Sequence, residues 1–135
     1  MYLKQEEQQT SEREKKLAFN KIKKHLEKYE TLTMAEVISS EGFYRLKCKV
    51  PYAKRKPHFE EFNYATVQIK DDCVHFEFLP ATMTFRHLDQ APALNHFFSH
   101  SKVFKFYQTM QIDEDQLKYV LKKGYEVFKK NGFIQ

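Results

Sequence analysis

The stretch ATVQIKDDCVHFEFLP, residues 65–80, limits the fold more than any other part of this chain. Ala65, Val67 and Ile69 alternate with other residues, Asp71–Asp72 supplies turn chemistry, and Val74, Phe76 and Phe78 alternate on the return. Period-two alternation on both sides of such a turn predicts an antiparallel hairpin with one apolar face. Pro80, which has no amide to donate to a ladder, ends the returning strand. A two-stranded hairpin is marginal in water, so its apolar face must find more strands and a covering layer.

The C-terminal segment provides such a layer. Asp113 is a predicted N-cap, Gln116 sits at the capping-box position, and Ile112 with Leu117 is spaced as a hydrophobic staple. Leu117, Val120, Leu121, Gly124 and Phe128 form an i, i+3, i+4, i+7 stripe that Asn131–Gly132 ends. Gly124 on that stripe predicts a close approach of helix to sheet. A second helix is expected over residues 11–30, opened by a Ser11–Glu14 capping box. Ala18, Ile22, Leu26 and Tyr29 mark its inner face, with Leu17 and His25 beside them. Lys15, Lys16, Lys21, Lys23, Lys24 and Lys28 take its remaining surface. Residues 1–10 are polar and read as a flexible segment, either frayed or an irregular start to the first helix.

Between the helices lie further alternating runs. Glu36–Ser39 is a plausible strand, with Gly42 in the following turn. In Phe43–Val50, Tyr44, Leu46, Cys48 and Val50 face one way and Arg45, Lys47 and Lys49 the other. Pro92–Phe98 has the pattern of a short helix, and Val103–Tyr107 that of a last strand. The order helix, strands, helix predicts an α+β fold: an antiparallel sheet of about five strands with N- and C-terminal helices packed on one face. Residues 11–135 form one domain, as expected for a chain of 135 residues. Thirteen Phe and eight Tyr suit strands and an aromatic core.

The sequence narrows function chiefly by exclusion. Cys48 and Cys73 lack any metal-type or redox-type spacing, and no leader pattern is visible, so a reducing, cytoplasmic setting is expected. No apolar run approaches the ~18 residues of a membrane span. There is no nucleophile elbow, dinucleotide fingerprint or phosphate-binding loop, and the three glycines are scattered. The expectation is a domain with neither a catalytic site nor a cofactor. His96 and His100 are four apart, but Ser99 and Ser101 interrupt any helix that would align them. Cys73, His75 and Glu77 alternate on one strand face and span about 13 Å, too far to share one ion from a straight strand.

The remaining feature is VPYAKRKPHFEEFNY, residues 50–64. Pro51 and Pro57 fit a connection between strands. Lys54, Arg55 and Lys56 would attract an anionic group, and Tyr52 and His58 could stack or hydrogen-bond, which makes these five residues the candidate ligand site. The cations from Arg45 to Lys56, interleaved with aromatics, also admit nucleic-acid binding. Four phosphate contacts would then give a log K against log salt slope of roughly −3 to −4. The net charge of +5 fits a polyanionic partner, but it is also ordinary for a soluble small domain. Glu60 and Glu61 partly neutralise the basic run, favouring the rim of a pocket over a nucleic-acid arm.

The pattern from Tyr44 through LKCKV, KRKP, ATVQIKDDCVHFEFLP, FKFYQ and LKYVLKKGYEVFKKNGF resembles the YdhG-like family of bacterial domains of unknown function. The resemblance covers roughly residues 32–134 and implies a fold similar to frataxin, with two helices on one face of an antiparallel sheet. It also implies an alternative function, an intracellular iron-binding chaperone that would use acidic residues such as Glu12, Glu14, Glu60 and Glu61. The first helix does carry Glu12, Glu14, Glu27 and Glu30. They stand among seven Lys or Arg residues between positions 13 and 28, a pattern that disfavours clustered oxygen ligands. The leading expectation is a binding domain for an anionic small ligand or a protein partner.

Overall fold

The computed structural model describes residues 2–51, 60–81 and 103–134, with side chains from Glu12 onward. Helix α1 spans Tyr2–Glu27. It is followed by β1 (Glu36–Ser40), β2 (Phe43–Lys49), β3 (Glu61–Ile69), β4 (Val74–Phe78) and β5 (Val103–Phe106). A single 3-10 turn at Thr109–Gln111 leads into α2, Glu114–Lys130. The five strands form one antiparallel sheet in the order β1-β2-β3-β4-β5. Two helices and a five-stranded sheet make the α+β arrangement that the residue pattern predicts.

Helix α1 starts nine residues before Ser11, which therefore lies inside it and not at its cap. The reason is local: KQEEQQ consists of good helix formers, and nothing before Ser11 breaks the helix. Its inner face carries Ala18, Phe19, Ile22 and Leu26, all buried, whereas Leu17 is exposed. Lys15 also departs from the surface role expected of it, being only 3% exposed. Its ammonium pairs with Glu12 at 2.6 Å and donates to the carbonyls of Lys70 at 3.3 Å and Asp71 at 2.8 Å. A long aliphatic stem lets a lysine bury its carbons while its charge satisfies backbone acceptors.

Helix α2 follows its sequence pattern closely. The Asp113 side chain accepts from the amides of Asp115 and Gln116, at 3.0 and 3.2 Å. Leu117, Val120, Leu121, Gly124 and Phe128 are the buried residues, and Gly132 takes a left-handed φ of 76° beyond the C-cap Asn131. A Cβ on Gly124 would lie 2.5 Å from the Phe78 ring and 2.8 Å from Pro80 Cβ, so the helix rests directly on β4 and its exit.

One irregularity reorganises the sheet. The β2–β3 register shifts between Leu46 and Lys47: Leu46 pairs with Ala65, but Lys47 pairs with Asn63. Tyr64 is the extra residue of this β-bulge, which reverses the side-chain parity along β3. Phe62 and Tyr64 are therefore buried before the bulge, and Ala65 and Val67 after it. A continuous aromatic row results, running Phe106, Phe104, Phe76, Phe78, Tyr64, Phe128 and Phe133 with adjacent ring centroids 5.2–6.4 Å apart. Much of the unusual Phe and Tyr content is spent in this core. No helix among the described residues is long and apolar enough to cross a membrane.

Candidate functional site

The five residues expected to hold a ligand, Tyr52, Lys54, Arg55, Lys56 and His58, lie outside the described residues, as do the Pro92–Phe98 segment and His96 and His100. The ends of the 52–59 segment are placed, however. The amide of Val50 donates to the Glu60 carbonyl at 2.8 Å, closing the connection between β2 and β3. The described chain therefore leaves β2 and re-enters at β3 side by side, at Val50 and Glu60.

An open depression of about 430 Å³ lies at that point, lined by Met34, Ala35, Glu36, Lys47, Cys48, Lys49 and Glu61. Its walls follow from the register. Glu36 is paired with Lys47 across β1 and β2, and Lys49 with Glu61 across β2 and β3. A turn after α1 forms one lip, where Thr33 donates to the Tyr29 carbonyl through both its amide (3.0 Å) and its hydroxyl (2.6 Å). Met34 then adopts φ 52° with its side chain 74% exposed beside the depression. A non-glycine residue in the left-handed region costs about 1–2 kcal/mol. The main-chain bonds from Met34 to Thr31 (3.1 Å) and from Ala35 to Glu30 (3.1 Å) hold it there.

The electrostatics of the depression are mixed. Lys47 bonds Glu61 at 2.8 Å, which raises the lysine pKa and lowers that of the carboxyl. Glu36 adds a second negative charge to the lining, and Lys49 is exposed beside both. The Cys48 thiol, buried in the core behind the depression, is pushed up to about 11 by burial, which leaves it a poor nucleophile near neutral pH. Farther along the wet face, Arg45 stacks over Phe43 at 4.8 Å and donates to Thr66 at 3.0 Å. Arg45 and Lys47 are thus engaged with neighbours, so the cations of β2 do not form a bare basic stripe.

Three of the four glutamates of the iron-chaperone expectation have separate engagements. Glu12 holds Lys15. Glu14 accepts from the Thr109 amide at 2.8 Å, and this bond lowers its pKa. Glu61 is paired with Lys47, and Glu60 is exposed at the entry to β3. A different group of potential ligands does converge: a carboxylate oxygen of Asp72, the Cys73 sulfur and a ring nitrogen of His75 all lie within 4.8 Å of one another. The sequence pattern had placed Glu77 with Cys73 and His75, along a straight strand. Cys73 instead stands in the turn before β4, and the bend brings Asp72 in as the third group. Adjacent acidic and thiol residues in a turn carry no spacing signal of their own, so nothing in the pattern marked Asp72.

No family model, curated protein or solved structure matches the chain. Its residues and their geometry are accordingly the basis for a functional reading.

Proposed function

We propose that this protein is a non-catalytic, cytoplasmic binding domain whose ligand seat is the depression between β1, β2 and β3. The observation that carries the reading is that this depression lies where the 52–59 segment departs and returns, with Lys47 and Lys49 in its lining. Its volume of about 430 Å³ falls within the ~300–1,000 Å³ typical of small-molecule sites. The ligand is a small molecule with one anionic group on an apolar body. Lys49 and the cations at 54–56 receive the anion, and Met34 and Ala35 receive the apolar part. Glu36 and Glu61 select against polyanions, because a phosphate chain crossing the depression would meet two carboxylates. Two buried cysteines without a disulfide support the cytoplasmic setting. Kinship with the frataxin-like domains belongs to the same proposal, supported by the helix–sheet–helix order.

Phenyl phosphate is a suitable probe. Near a hundredfold excess over Kd it would stabilise the fold by about 2.7 kcal/mol, read as a rise in Tm that Lys49→Glu diminishes. Failure of phenyl phosphate to raise Tm at any soluble concentration contradicts the proposal. So does a single-stranded DNA complex in a gel shift whose log K falls with log salt at roughly −3 to −4.

A further inference from the structure

The β3–β4 turn gathers three different ligand types on a rigid frame. The Lys70 amide donates to the Cys73 carbonyl at 2.8 Å, and the buried Lys15 ammonium clamps the carbonyls of Lys70 and Asp71 from α1. Asp72 is exposed, His75 half-buried and Cys73 fully buried, so the group has a solvent side and a protein side. The three ligand atoms lie within 4.8 Å of one another. Bonds of ~2.0–2.3 Å to a tetrahedral ion need them roughly 3.3–3.7 Å apart. The exposed Asp72 side chain and the half-buried His75 ring are the groups that would move to close this difference.

We propose that Asp72, Cys73 and His75 form a site for one borderline-soft divalent cation, of which zinc is the representative. Sulfur, imidazole and carboxylate together suit zinc, whereas a single carboxylate is too few oxygen ligands for calcium or magnesium. The Cys73 sulfur and an Asp72 carboxylate oxygen lie within 4.8 Å of each other, and the metal takes the place of the thiol proton. One S–H bond breaks, one metal–sulfur bond forms, and the proton passes to solvent. Thiolate and carboxylate together cancel the charge of the ion. Neutrality matters there, because Lys105 pairs with His75 across β4 and β5, Lys70 opens the turn, and Asp71 and Glu77 flank the group. Three protein ligands leave a fourth position for water or an exogenous ligand. This site is separate from the depression and does not depend on the proposal for it.

Titrating the full, reduced, metal-stripped chain with Co²⁺ tests the assignment. The expected result is saturation at one equivalent with a sulfur-to-cobalt charge-transfer band, displacement by Zn²⁺, and proton release on binding. His75→Gln, on the half-exposed side, keeps the fold by its unfolding curve. It loses more affinity than the roughly 10–100-fold cost of an outer-shell change, and Cys73→Ser loses the band. Cys48→Ser, at the other buried thiol, retains both. Absence of a sulfur band in the parent, or a band that survives in His75→Gln at unchanged affinity, overturns the site. So does a band lost in Cys48→Ser but kept in Cys73→Ser.

Discussion

Tyr64 occupies the bulge, and its hydroxyl is buried with no hydrogen-bond partner among the described residues. Burial pushes its ionisation well above the ordinary phenol value. A buried hydroxyl without a partner costs about 1–3 kcal/mol. The ring itself makes edge contacts with Phe78 at 5.5 Å and Phe128 at 5.8 Å that a phenylalanine would keep. Tyr64→Phe is therefore expected to raise unfolding free energy by ~1 kcal/mol in urea, and a loss of stability would reveal an unrecognised partner for the hydroxyl. Gly124 gives the opposite sign. On an exposed helix face Gly→Ala gains about 1 kcal/mol of helix propensity. At this position the new Cβ meets Phe78, whose ring is fixed between Tyr64 and Phe76, and overpacking costs about 1–3 kcal/mol. Gly124→Ala should lower stability by ~1 kcal/mol, and a gain would show that helix and sheet are less tightly apposed.

At the scale of elements, α1 and α2 are tied to each other as well as to the sheet. Tyr29 and Tyr125 pack with centroids 5.8 Å apart, and buried His25 bonds Glu114 at 3.0 Å in the first turn of α2. The His25 hydrogen bond, aided by Lys21 and Lys24, holds the Glu114 carboxyl below its ordinary value near 4.5. A depressed carboxyl stabilises the fold above the unfolded-state value and loses that contribution as pH falls through the folded value. Stability should thus decline with acid below about pH 4.5, and Glu114→Gln should flatten part of that decline in urea melts between pH 3 and 6. An unchanged slope would mean that the helix–helix bond carries no acid sensitivity. The elements differ in how legible they were. Helix α2 could be read from Asp113 to Gly132 because cap, stripe and stop agree. The start of helix α1 is less legible, because helix propensity continues from Ser11 back through a polar segment that contains no breaker. The inward turn of Phe62 and Tyr64 was hidden because a bulge changes side-chain parity without a sequence mark of its own.

At the scale of the molecule, the sheet buries an aromatic row under both helices and leaves a mixed-charge face outside, bounded by the wholly exposed strand β1. The alternation in residues 43–50 and 65–78 foretold this division, since only the covered face is continuously apolar. The depression was less legible. Its lining comes from the turn after α1 and from three strands, and only tertiary register brings Met34, Lys49 and Glu61 together. The basic segment at 54–56 could be named from the sequence, but not the hollow between the described ends of β1, β2 and β3. If this hollow is the ligand seat, amide chemical shifts during a phenyl phosphate titration locate it most directly. The account predicts saturable shifts at Met34, Glu36, Lys47, Lys49, Glu61 and Lys54–Lys56, with Asp72–His75 unmoved. Shifts confined to other surfaces, or none at saturation of the probe's solubility, would contradict it.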